Sequence, residues 1–193
     1  MKTPTTLILC AVAVLAFVAV QPIQAAVYTW NTGTENWDTV TSNWTGAGAT
    51  WVNGNDAVFG GTASSTITIN EAGITVNKVT FNVDGDTIAA SGGNDLTLSG
   101  GNDIVVGTGL TADISAPIVG NVGLEKLGGG KLILSGASTY TGTTHVKEGT
   151  LECGINDALP TGANVLMGWG SNSGTPTLDA TLDIGNFTAT INN

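Results

Sequence analysis

The chain has 193 residues, with 28 Gly and 30 Thr against five Lys, one His, two Cys and no Arg. Charged residues make up 10% of it, where about 25% is usual, which excludes charged helical bundles and coiled coils and points to strands joined by tight turns. A net charge of −10 excludes a partner held by phosphate neutralisation, so no nucleic acid is expected. The expected fold class is all-β.

Lys2 precedes a short polar stretch, the 14-residue apolar run Leu7 to Val20, then Pro22 and Ala25-Ala26. A basic start, an apolar helix, a helix-breaking Pro and small residues at the exit make 1–25 a secretory signal peptide, cut after Ala25 or Ala26. A membrane anchor would need about 20 apolar residues and a positively charged stop. The general secretion machinery is therefore an expected partner. Leu9 before Cys10 stands where lipidation needs a small residue, and Cys10 leaves with the signal. Cys153 is then the mature chain's single cysteine and His145 its single histidine, so no intrachain disulfide forms, and any zinc site, Cys–His dyad or Ser-His-Asp triad would rest on one imidazole. Alternation with Val146 predicts an outward His145, and Cys153 reads as a small buried filler.

Residues 26–56 carry Trp30, Trp37, Trp44 and Trp51 at intervals of seven. Gly33, Gly46, Gly48 and Gly54 forbid the helix that such a stripe would suit, so short strands and turns pinned by indoles are predicted. Their expected role is an N-terminal cap over the exposed end of a β-stack. The rival role is a carbohydrate-binding module that stacks sugars on Trp faces.

From 57 to 193 short runs alternate between apolar and polar residues and are broken by Gly, Asn and Asp. Predicted strands are Ser65 to Asn70, Ile74 to Val76, Val79 to Val83, Asp95 to Leu98, Ile104 to Val106, Leu110 to Ile114, Lys131 to Leu134, Thr143 to Val146, Thr150 to Cys153, Asn164 to Met167, Leu178 to Ile184 and Thr188 to Ile191. A phase change at Asn77-Lys78 predicts a corner between two sheets. A sandwich would also alternate. Recurring pieces favour a right-handed parallel β-helix, because a solenoid rung must be followed by similar rungs: Leu96-Thr97-Leu98-Ser99-Gly100 returns as Leu132-Ile133-Leu134-Ser135-Gly136, and Gly149-Thr150-Leu151 as Pro176-Thr177-Leu178.

Within 124–162 the chain reads Lys126-Leu127-Gly128-Gly129-Gly130-Lys131-Leu132-Ile133-Leu134-Ser135-Gly136, then Thr139-Tyr140-Thr141-Gly142, Gly149-Thr150-Leu151 and Ala158-Leu159-Pro160. This order resembles the autotransporter-associated β-strand repeat, also called the passenger-associated transport repeat. Asn36-Trp37-Asp38 with Asn43-Trp44, followed by Asp56-Ala57-Val58-Phe59-Gly60, is similar to the opening of large surface proteins that carry it. The resemblance implies an exported, adhesin-like β-helical passenger at the surface of a Gram-negative bacterium, with no catalytic residues and with a repeat that assists folding and export. Leu132 and Leu134 are expected to face the core, Gly136 and Gly142 to adopt positive φ at corners, and Tyr140 to cover the joint between rungs. Gly142-Thr143-Thr144 has one Gly where the family often has two, and no barrel domain follows. The chain is therefore expected to be a piece of a longer gene, with an outer-membrane translocator as partner, or a small secreted derivative. A host, matrix or polysaccharide surface is the expected target.

Other sites read as structure. Gly92-Gly93-Asn94-Asp95 and Gly100-Gly101-Asn102-Asp103 recur at eight residues, one short of the calcium β-roll period, and are expected to be plain turns. Asp179 and Asp183, four residues apart on a strand, lie about 13 Å from each other, too far for glycoside hydrolysis. Asp84-Gly85-Asp86 reads as a solvated turn. A β-helical polysaccharide-active enzyme is the least favoured reading, and no catalytic, cofactor or metal site is expected.

Overall fold

The computed structural model describes residues 24–31, 33, 35–168 and 179–189, and the backbone of 191–192. The signal segment up to Ile23 and the Pro176-Thr177-Leu178 piece lie outside the described residues. Strands and turns make up what is described; no helix there is long and apolar enough to cross a membrane.

Two sheets run along one axis. The first contains Val27–Trp30 (β1), and the second begins with Glu35–Trp37 (β2). Trp44–Gly46 (β3) pairs antiparallel with β1 at the outer edge of the first sheet. The chain then alternates between sheets: Asn55–Phe59 (β4), Thr66–Ile69 (β5), Thr75–Phe81 (β6), Asp86–Ala90 (β7), Leu96–Val106 (β8) and Thr111–Ile114 (β9). Ile118–Val119 (β10) pairs with the first part of β8. Leu124–Leu127 (β11), Lys131–Leu134 (β12), Thr144–Val146 (β13), Gly149–Cys153 (β14), Ala163–Met167 (β15), Ala180–Asp183 (β16) and Ile191–Asn192 (β17) complete the series. The sheet orders are β17-β15-β13-β11-β8-β6-β4-β1-β3 and β16-β14-β12-β9-β7-β5-β2. Apart from β1–β3, every ladder is parallel, so successive rungs stack as a parallel β-solenoid.

The core is a set of axial columns. On the first sheet Ala57, Val79, Ile104, Lys126 and Val146 are in register, and all are fully buried. On the second sheet Ile67, Ile88, Ile114, Leu134 and Cys153 form one column, while Ala112, Leu132, Leu151 and Leu182 form another below Asp86. Period-2 alternation sends these residues, Lys126 included, inward and most other polar side chains of the strands outward, as a half-buried strand requires.

Most predicted strands are present; the run predicted from Thr188 to Ile191 is not a strand at 188–189, and β17 is Ile191–Asn192. The expected corner between two sheets at Asn77-Lys78 is instead a register shift inside one strand of the first sheet, and the runs at 95–98 and 104–106 are likewise joined in β8. Strands β7, β10 and β11 are additional. Each is short and begins or ends beside Gly or Pro, so its local pattern is hard to distinguish from a turn.

The indoles of Trp30, Trp37, Trp44 and Trp51 converge at the first rung with Tyr28 and Phe59, and none of the four is more than 4% exposed. Trp44 crosses Trp30 at 4.9 Å and Trp37 at 5.2 Å, both edge to face, the arrangement that ring quadrupoles favour. Trp30 Nε1 donates to Gly33 O and Trp51 Nε1 to Asn53 Oδ1. The Trp37 and Trp44 N–H groups have no acceptor among the described residues. At the far end, Leu166, Met167, Ile184 and Phe187 are exposed.

Candidate functional site

Between β4 and β14 the corner that joins the first sheet to the second tightens along the axis. It takes six residues between β4 and β5, four between β6 and β7 and between β8 and β9, three between β11 and β12, and two between β13 and β14. The repeat residues occupy the tight end, and their chemistry follows from that.

Lys126 sits in an otherwise apolar column, fully buried. Its aliphatic stem fills the place that Ile104 and Val146 take in neighbouring rungs, and its ammonium reaches the corner. There Nζ donates to Leu127 O at 2.9 Å, Gly128 O at 2.7 Å and Glu148 O at 3.1 Å. The first two acceptors belong to its own rung and the third to the next. Burial lowers the ammonium pKa to about 8, and the Glu148 charge opposes that shift. A buried charge is tolerable only when its donors are matched, and three carbonyls match the three hydrogens of an ammonium.

The repeat glycines are needed chiefly for close approach. A Cβ on Gly128 would collide with Val106 O, one on Gly130 with Gly107 O, and one on Gly149 with Gly130 O. These form a backbone-on-backbone stack up the corner. Gly128 and Gly149 also have positive φ. Gly136 and Gly142 do not, which corrects the expectation for them. A Cβ on Gly136 would lie 2.7 Å from the Ala116 backbone, and one on Gly142 would run into the Gly123 backbone.

The remaining repeat residues face where alternation sends them. Leu132, Leu134 and Leu151 are buried. Ser135 Oγ donates to Asp113 Oδ1 on the preceding rung at 2.5 Å. Thr139 N donates to Ile118 O and Thr150 N to Gly130 O. Tyr140 is buried with its hydroxyl 2.6 Å from Thr144 Oγ1, and burial pushes its phenol up. Outside, Lys147 pairs with Glu125, and Lys131 with Glu152 at 2.9 Å. Apart from the Tyr140–Thr144 contact, which lies within one rung, these contacts join adjacent rungs.

His145 points outward from β13, with Nε2 2.6 Å from Gly168 O, while Cys153 is buried on the other sheet and its thiol is pushed up by desolvation. The two therefore lie on opposite sides of a wall. Gly92 and Gly93 form a turn with positive φ, whereas Gly100–Asp103 is a bend inside β8, with Gly101 N donating to Asn77 Oδ1 at 2.6 Å. Among the described residues no three His, Cys, Asp or Glu side chains gather as metal ligands. Asp84 is exposed on its turn and accepts from Thr111 N. Asp86 is not on a solvated turn. It opens β7, faces inward and is 2% exposed.

Sequence reasoning left Lys126 without a position because β11 was not read as a strand. The signal was present: Leu124 and Lys126 share parity, and three glycines follow where a corner must bring carbonyls together.

The parallel solenoid with these corner contacts defines a class, and comparison with known proteins names its module. A family model described as the passenger-associated-transport-repeat matches residues 124–152, so the chain carries this repeat. The matched span ends before Ala158-Leu159-Pro160. The chain is also 37% identical over 120 residues to the adhesin BmaC autotransporter of Brucella suis biovar 1 (strain 1330). That match covers 61% of this chain and 3% of the relative. No solved structure matches.

Proposed function

We propose that this chain is an exported, non-enzymatic, adhesin-like part of a passenger, displayed at the surface of a Gram-negative cell, in which the repeat seats each rung on the one before. The Lys126 ammonium, shared between its own corner and the next rung's Glu148 carbonyl, is the observation that carries this reading. A parallel solenoid forms by stacking, and a rung that emerges without a neighbour exposes bare core and unpaired backbone. A corner with donors in place and no Cβ in the way lets the next rung dock without rearrangement. The name of the Brucella relative supports display and adhesion, with secretion machinery and an outer-membrane translocator as partners and a host, matrix or polysaccharide surface as target. The buried indoles of Trp37, Trp44 and Trp51 offer no open face for sugar stacking.

The test is display. The full chain is fused ahead of an autotransporter barrel in a Gram-negative host, and surface protein is measured by antibody labelling of intact cells. Gly142→Val is expected to lower display while total synthesis is unchanged. Equal display from a variant whose purified form is destabilised would overturn the templating role.

A further inference from the structure

We propose that the cavity at the six-residue corner between β4 and β5 binds a small organic ammonium ion through the carboxylate of Asp86. This inference does not depend on the passenger reading.

The six-residue corner Gly60–Ser65 borders a cavity of about 380 Å³, within the range of small-molecule sites. Trp30, Phe59 and Val83 line it beside the corner loop, with Asp86. Asp86 is 98% buried, from its 2% exposure. Its Oδ1 accepts from Ser65 N at 2.8 Å.

A buried carboxylate without a counter-charge is costly, and burial raises the Asp86 pKa accordingly. Among the described residues the chain supplies no cation here. Lys126 is held by carbonyls, Lys131 by Glu152 and Lys147 by Glu125, while Lys78 stands in register between Asp56 and Asp103 on the outside of the first sheet. No other residue lining the cavity is titratable. A cation from solution would neutralise this carboxylate. A hard metal ion needs several oxygen ligands, and one carboxylate does not supply them. Two aromatic rings beside one carboxylate suit an alkylammonium, which gains an ion pair and ring contact together.

The test compares ligands that differ in charge and little in size, ethylamine with ethanol and glucosamine with glucose, by thermal melting of the wild-type chain at pH 7 and matched ionic strength. Each amine is expected to raise Tm saturably, by about 3 °C at ten times Kd, and its neutral twin to leave Tm unchanged. Asp86→Asn is expected to melt cooperatively and to lose the shift. If that variant does not fold, the wild-type pH profile decides: the amine effect must fade as pH falls through the carboxylate range. No shift, equal shifts from amine and neutral twin, a shift retained in Asp86→Asn, or a shift independent of pH would each overturn the proposal.

Discussion

The Lys126 ammonium donates to the main-chain carbonyl of Glu148, 3.1 Å away on the following rung. A charged side chain in the core column thus bonds the corner ahead of it, and two properties follow that an apolar residue in the same column would not have.

The first is stability at neutral pH. Lys126→Met keeps the stem volume but leaves the carbonyls of Leu127, Gly128 and Glu148 without this donor. Relief of charge burial offsets part of that loss. The net cost is expected to be about 1–3 kcal/mol, the penalty for an unsatisfied buried acceptor, read from the denaturant midpoint at pH 7.

The second is pH dependence. Lys126 titrates at about 8 in the folded chain and at about 10.4 when unfolded. Between these values the unfolded chain holds a proton that the folded chain has released, so this group makes stability rise with pH. Cys153 acts in the opposite direction, because burial raises its thiol pKa and stability is lost as pH climbs past the ordinary thiol range. Subtracting the Lys126→Met profile cancels that contribution. The wild-type-minus-variant difference is expected to grow by about 1–2 kcal/mol from pH 8 to 9.5; a flat difference would contradict the geometry.

Two glycines separate close approach from backbone conformation. Gly142 has ordinary φ but no room for a Cβ beside Gly123, whereas Gly73 has φ +81° and open space around it. Gly142→Ala is expected to cost about 2–4 kcal/mol by forcing rungs apart. Gly73→Ala should cost about 1–2 kcal/mol, the left-handed strain alone. Equilibrium unfolding of the two variants checks the order.

Trp37 is fully buried against Trp44, Trp51 and Phe59. Trp37→Ala is expected to lower stability by about 3–5 kcal/mol and, by opening the first rung, to cause association visible in light scattering. A monomeric variant of wild-type stability would remove the capping role.

Cleavage after Ala25 or Ala26 has different consequences. Ala26 N donates to Asn55 Oδ1 at 2.7 Å, and Ala26 O accepts from Asp56 N at 2.9 Å. A cut after Ala25 preserves both bonds. The intact mass of the exported chain is expected to begin at Ala26, and a chain that begins at Val27 would refute this.

Much of the architecture was legible in the sequence because it is locally encoded. Lys131-Leu132-Ile133-Leu134 alternates on a strand whatever lies above it, Asn77-Lys78 breaks phase where the register of β6 shifts, and the repeat order around Gly128-Gly129-Gly130 is distinctive over a few residues. His145 outward and Cys153 inward follow from parity alone.

Other features depended on which residues meet across about 20 positions of chain. Lys126 appears an ordinary polar residue until the register sets it in line with Ile104 and Val146 and brings Glu148 over its ammonium. Asp86 reads as part of a turn until β7 forms beneath a six-residue corner that leaves it facing a cavity. Gly142 reads as a conformational glycine until the rung below occupies the space of its missing Cβ. Composition and alternation determined that the chain is made of strands with one apolar face. Only the stacking of rungs decided which polar groups were enclosed, because desolvation and close contact arise between segments and have no local pattern.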